Sequence, residues 1–113
     1  MTHLPARPAT VTREVIQVDK IDLLTTVSGN ITATSDVING SVVAIKSVNG
    51  NFTTSGRVVV NSTYPFTEQL ATCNLLSGGN TQLIASVPVV GTIQAVMTAQ
   101  DASKSGSVYI YYK

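Results

Sequence analysis

His3, Cys73 and the six carboxylates Glu14, Asp19, Asp22, Asp36, Glu68 and Asp101 are the residues of this 113-residue chain best suited to acid–base, nucleophilic or metal chemistry. His3 stands in "MTHLPARPAT", where nothing nearby orients it or sets its pKa, and a general base needs a positioned partner. Cys73 is the only cysteine, and no histidine lies in the body of the chain to draw off its proton. A buried thiol of this kind behaves as a small hydrophobe. A single cysteine also excludes an intrachain disulfide and a thiol cluster for zinc. Asp19 and Asp22 flank Lys20 and could contribute to a calcium site, but no dense run of alternating carboxylates surrounds them. Solvated charges near a strand end account for them better. The expectation is a protein without catalytic residues, cofactor or metal.

"NIT", "NGS", "NFT" and "NST" match the N-glycosylation pattern at Asn30, Asn39, Asn51 and Asn61. A chain this rich in Ser and Thr yields such matches by chance. Three of the four tyrosines crowd the C-terminal strand, with Tyr109 and Tyr111 on one face and Val108, Ile110 and Tyr112 on the other. Aromatics so placed suit a carbohydrate face, yet there is no Trp. Tyrosine has an apolar body and a polar tip, so an interface or the rim of the core is the preferred role. Charge is scarce throughout: 12% of residues are charged, about half the usual fraction, and the net charge is +1. That leaves no field to draw nucleic acid or an anionic membrane. Between Arg57 and Asp101 the only charge is Glu68. Depletion of charge marks interface cores, so this half of the chain reads as a surface for other protein.

The elements that position these residues are strands. A chain of this length buries roughly 65% of its unfolded surface, enough for one domain with a real core. In "LLTTVSGNITAT" apolar and polar residues alternate with period two, and "SVVAIKSV", "RVVVN", "TQLIASV", "TIQAVMTA" and "SVYIYY" repeat the pattern. Asn39-Gly40, Asn49-Gly50, Ser55-Gly56, Gly78-Gly79 and "DASKSG" fall between the runs as turn signals, Val48–Phe52 being the best hairpin. "EVIQVDKIDLL" suits either a strand or a short helix. "TEQLATCNLLSGG", with Leu70, Cys73 and Leu76 at helical spacing, reads as an irregular loop with one helical turn. Ile93, Ala95, Met97 and Ala99 are expected to share a face. The expected fold is an all-β, single-domain β-sandwich, jelly-roll-like or alternatively immunoglobulin-like. Its expected core is Val27, Ile31, Val43, Ile45, Val58, Val60, Leu83, Ile93, Met97, Val108 and Ile110.

Residues 1–12 are expected to form an extended arm ahead of a sandwich over 13–113. "THLPARPAT" has no self-packing to offset its ordering entropy, while its prolines pre-extend it. Such an arm is suited to lie along another subunit, with Leu4 and Val11 as apolar anchors and Arg7 and Arg13 for carboxylates on a partner. Its start lacks the apolar core of a signal peptide, and no apolar run approaches a membrane span. Synthesis in a cytoplasm is therefore expected.

With "LPARPA" ahead of the strands and texture such as "GTIQAVMTAQDASKSGSVYIYY", the chain resembles the small capsid decoration (cement) proteins of tailed bacteriophages. Some of these are jelly rolls of about this length. The resemblance implies a virion protein on the capsid surface that bridges subunits of the major capsid protein and self-associates as a dimer or trimer. Leu4, Arg7, Val11, Arg13, Tyr109 and Tyr111 are the expected partner-binding residues. A carbohydrate-binding sandwich, using Tyr109, Tyr111 or Tyr64 around a groove, and a phage tail or neck component are the alternatives.

Overall fold

The computed structural model describes residues 15–64, 67–77 and 81–113, with the side chains of 77 and 81–85 outside that description. Eight strands follow in order: β1 (Gln17–Leu24), β2 (Ile31–Thr34), β3 (Ile38–Asn49), β4 (Arg57–Ser62), β5 (Glu68–Asn74), β6 (Thr81–Gly91), β7 (Ile93–Met97) and β8 (Ser105–Tyr112). They form two four-stranded antiparallel sheets, ordered β1-β8-β3-β6 and β2-β7-β4-β5. β4 pairs with β5, β3 with β6, β2 with β7 and β1 with β8. This is one long antiparallel ribbon folded over on itself. It is the strand order of a jelly roll, which decides between the two expected sandwiches.

Period-two alternation turns one side of each strand inward. Ile21, Leu23, Val42, Ile45, Val89, Val108 and Ile110 of the first sheet meet Val58, Val60, Ala71, Cys73, Ile93, Ala95 and Met97 of the second. Phe52, on the β3–β4 connection, and Leu75, just after β5, plug one end of the core. Seven of the expected core residues are thus buried: Ile45, Val58, Val60, Ile93, Met97, Val108 and Ile110. Ile31 packs on the core from its edge, half-buried. Leu83 lies outside the described side chains.

Val27 is a correction. "LLTTVSGNITAT" is not one strand: Thr26 N–H donates to Asn30 O (2.9 Å) and Gly29 N–H to Thr26 O (2.9 Å), closing a turn between β1 and β2. Val27 sits on that turn, 86% exposed. Val43 is a second correction, because a bulge between Val42 and Ala44 shifts the register. The bulge turns Val42 inward and leaves Val43 half-buried. Ala99 is a third: at φ 54° it leaves the face of Ile93, Ala95 and Met97 and is exposed.

The Val48–Phe52 hairpin is overturned as well. β3 lies in the first sheet and β4 in the second, so this segment crosses between sheets. Asn49 shapes the crossing, accepting from Phe52 N–H and donating to Phe52 O, each at 2.9 Å. Asn39-Gly40 lies inside β3 rather than at a turn. Within "EVIQVDKIDLL", Gln17–Leu24 is strand, and within "TEQLATCN", Glu68–Asn74 is the strand β5, followed by a 3-10 turn at Leu75–Ser77. The buried set there is Ala71, Cys73 and Leu75, at a spacing of two rather than the expected helical spacing.

Candidate functional site

Among the described residues the carboxylates do not converge, and no three metal-binding side chains come together. Asp22 pairs with Lys20 at 3.3 Å on the outside of β1. Asp19 accepts from Asp36 N–H at 3.1 Å, tying the start of β3 to the edge of the first sheet. Asp101 is a brace between loops. Its carboxylate accepts from Thr54 N–H (2.7 Å), Thr53 N–H (2.8 Å) and the Ser55 hydroxyl (3.3 Å). The backbone N–H groups of Thr54 and Thr53 hold its pKa down at about 2. Cys73 is buried in the core, where desolvation pushes the pKa of its thiol up.

Two of the sequon asparagines also work as braces. Asn30 Oδ1 accepts from Ala99 N–H (2.8 Å) and Asn51 Oδ1 from Ser105 N–H (2.7 Å). Thr25, itself buried, donates to Asp101 O (2.7 Å) and accepts from Lys104 N–H (2.9 Å). These bonds fasten the β1–β2, β3–β4 and β7–β8 connections into one polar end of the roll.

The two outer faces differ in chemistry. On the first sheet, Tyr109 stands opposite Lys20 on β1 and Lys46 on β3, and Tyr111 opposite Val18 and Ala44. Lys20 Nζ lies 5.9 Å from the Tyr109 ring centre, within cation–π range. Both tyrosines are half-buried by these neighbours. The structure brings these two expected residues together. Leu4, Arg7, Val11 and Arg13, with His3 and Glu14, lie outside the described residues. Tyr64 is exposed beside Gly91 on the β4–β5 connection and does not join the other tyrosines. A shallow cleft of about 350 Å³ opens near the polar end, between Leu24 and Val48 over Gly106, and no tyrosine lines it.

The outer face of the second sheet carries almost no charge. Thr32 and Thr34 of β2 stand opposite Val96 and Gln94 of β7. Those face Val59 and Asn61 of β4, and these in turn face Thr72 and Gln69 of β5. Arg57 opens β4 beside this field, opposite Asn74. With Val59, Val96, Thr98 and Gln100 it lines a second cleft of about 170 Å³. The shortage of charge between residues 57 and 101 is visible in the sequence, but Arg57, Val59 and Val96 were not singled out there. The outward positions of "RVVVN" and "TIQAVMT" are the signal that identifies them.

No protein-family model and no curated protein matches the chain. Among solved structures, a crystal structure of FLHE is similar over 87% of this chain and 97% of that chain, at TM-score 0.48 and 15% identity.

Proposed function

We propose that the chain is a non-enzymatic virion structural protein that decorates and stabilises a phage capsid by bridging subunits of the major capsid protein. The observation that carries this reading is the neutral outer face of the second sheet, built from Thr, Asn, Gln and Val of β2, β7, β4 and β5. A face with almost no charge can be desolvated against protein at lower cost than a charged one, because few ions have to be stripped of water. Bridging needs a second, different contact surface. The Tyr109–Tyr111 face, flanked by Lys20 and Lys46, lies on the opposite side of the sandwich and supplies one. Residues 1–12 add a third contact, with Leu4, Val11, Arg7 and Arg13 as anchors, and copies associate as a dimer or trimer. Among the described residues no tyrosine lines either cleft, which favours this reading over the carbohydrate one.

The test is co-sedimentation with undecorated heads of the virus that encodes the chain, together with the sedimentation equilibrium of the protein alone. Wild-type protein should saturate heads, and deletion of residues 1–12, or Leu4→Ser with Arg7→Ser, should weaken occupancy without unfolding the domain. Binding to tails and not heads would favour the tail or neck alternative. No binding to any particle would overturn the reading.

A further inference from the structure

We propose that Arg57 is an anchor that receives a carboxylate side chain of the protein on which the neutral face docks; this rests on the docking role above. Four observations point to it. Arg57 is exposed, and no carboxylate pairs with it among the described residues, whose ion pair Lys20–Asp22 lies on the other sheet. The acids nearest along the second sheet and its loops are not available. Glu68 stands at the far end of β5, opposite Ser62. Asp101 is engaged with Thr53, Thr54 and Ser55.

The backbone around Arg57 is also held in place. Its N–H donates to Gln100 Oε1 at 2.9 Å, while Gln100 Nε2 donates to Thr98 O at 2.8 Å. Gln100 therefore fixes the rim of the cleft and leaves the guanidinium as its one charged group. Finally, Val59 and Val96 give the cleft an apolar wall, and at about 170 Å³ it admits one side chain rather than a folded segment.

A guanidinium beside apolar groups on an otherwise neutral face is suited to one class of occupant. It offers two parallel N–H donors that match a carboxylate, while the valines pack against the methylenes of an Asp or Glu. The neutral residues around it neither compete for the guanidinium nor repel the incoming acid. When the face closes and water leaves, this pair becomes a buried ion pair at an interface of few charges. In such settings a single Arg carries a large share of the binding. Nucleic acid is the less suitable occupant, because the net charge of +1 supplies no wider field for a phosphate chain.

The experiment compares wild type, Arg57→Gln, Arg57→Glu and Lys104→Glu for binding to undecorated, DNA-free heads. Lys104→Glu makes the same charge change as Arg57→Glu, but in the β7–β8 connection at the polar end of the roll rather than on either outer face. Arg57→Gln should weaken binding at least about tenfold and Arg57→Glu further, with Lys104→Glu within about threefold of wild type. Thermal melts of all four should coincide within a few degrees, since Arg57 and Lys104 are not core residues. If wild type binds and Arg57→Glu binds within twofold of it, the anchor is refuted while the docking role stands. Equal losses in Arg57→Glu and Lys104→Glu would also refute it, by showing a nonspecific effect of net charge. If wild type does not bind heads, the docking role fails and the anchor with it. If wild type is instead retained on DNA and Arg57→Gln is not, the occupant is a phosphate and the proposal is wrong.

Discussion

Replacing Gly29 with alanine should cost more stability than any other single methyl group added to the polar end of the roll. Gly29 has φ +76°, in the left-handed region where an L side chain costs about 1–2 kcal/mol. A Cβ there would stand 1.8 Å from the Gln100 carbonyl oxygen and 2.9 Å from the Gln100 nitrogen. These are backbone atoms, so no rotamer change relieves the clash, and the 99–103 loop must move. Movement stretches Gln100 N–H to Gly29 O (3.0 Å) and Ala99 N–H to Asn30 Oδ1 (2.8 Å), each a bond worth about 1 kcal/mol net. The sum is roughly 3–4 kcal/mol. At about 4 °C per kcal/mol for a domain of this size, the melting temperature should fall by more than about 10 °C. Thermal and urea unfolding followed by circular dichroism would measure it, with an unchanged m value showing that the cost is in stability. Gly29→Asn separates the two terms. Asparagine tolerates positive φ but carries the same Cβ, so it should recover little. A Gly29→Ala melt within 2 °C of wild type would refute the reasoning, and full recovery by Asn would show that φ alone matters.

Three further outcomes follow from the packing and the loop braces. Ile93→Ala should destabilise by about 2–5 kcal/mol, and Val27→Ala by less than about 0.5, measured by urea unfolding; similar values would mean that Val27 belongs to the core after all. Asp101 has a folded pKa of about 2, below the unfolded value, so its stabilisation is present above about pH 4 and lost as the pH falls through about 2. Asp101→Asn should therefore melt lower than wild type at pH 6 and converge with it near pH 2, and a gap that stays constant with pH would contradict this. Cys73, buried and with its thiol pushed up, should react with a disulfide reagent only as the protein unfolds, so fast labelling of the folded protein would place it elsewhere.

Side-chain period is local, and what depended on it was legible in the sequence. The alternation of Ile93, Ala95 and Met97, or of Val108 and Ile110, tells which residues face inward whatever the neighbouring strand is. Strand partners are not local, and there the sequence misled. Asn49-Gly50 has the composition of a hairpin turn, yet the chain uses it to pass from one sheet to the other. Among the successive connections, only β4–β5 joins partners that are adjacent in sequence. A jelly roll folds a ribbon over itself, so most turns bridge sheets and the usual turn signals carry no pairing information. The errors at Val27, Val43 and Ala99 share a cause: a turn, a bulge and a positive φ each reset the alternation. The bulge has no compositional mark. β5 was missed because Leu70, Cys73 and Leu76 stand at helical spacing, whereas the strand buries Ala71 and Cys73 at a spacing of two.

The candidate surface shows the same division between what is local and what is not. A shortage of charge over residues 57–101 is plain in the sequence, but a segment is not a face. β6 lies inside that segment and belongs to the first sheet, whereas β4, β5 and β7 belong to the second. β2 lies outside the segment and contributes Thr32 and Thr34 to the neutral field. The pairing of β7 with both β2 and β4 brings Val96 between Thr32 and Val59. Only then does Arg57 become conspicuous, as a guanidinium that meets no carboxylate among the described residues. The same folding sends Tyr109 and Tyr111 to the opposite side, between two lysines. The proposed bridging role needs two surfaces that do not compete for one partner. The roll separates these two faces by the thickness of its core, and their chemistry differs, as that role requires.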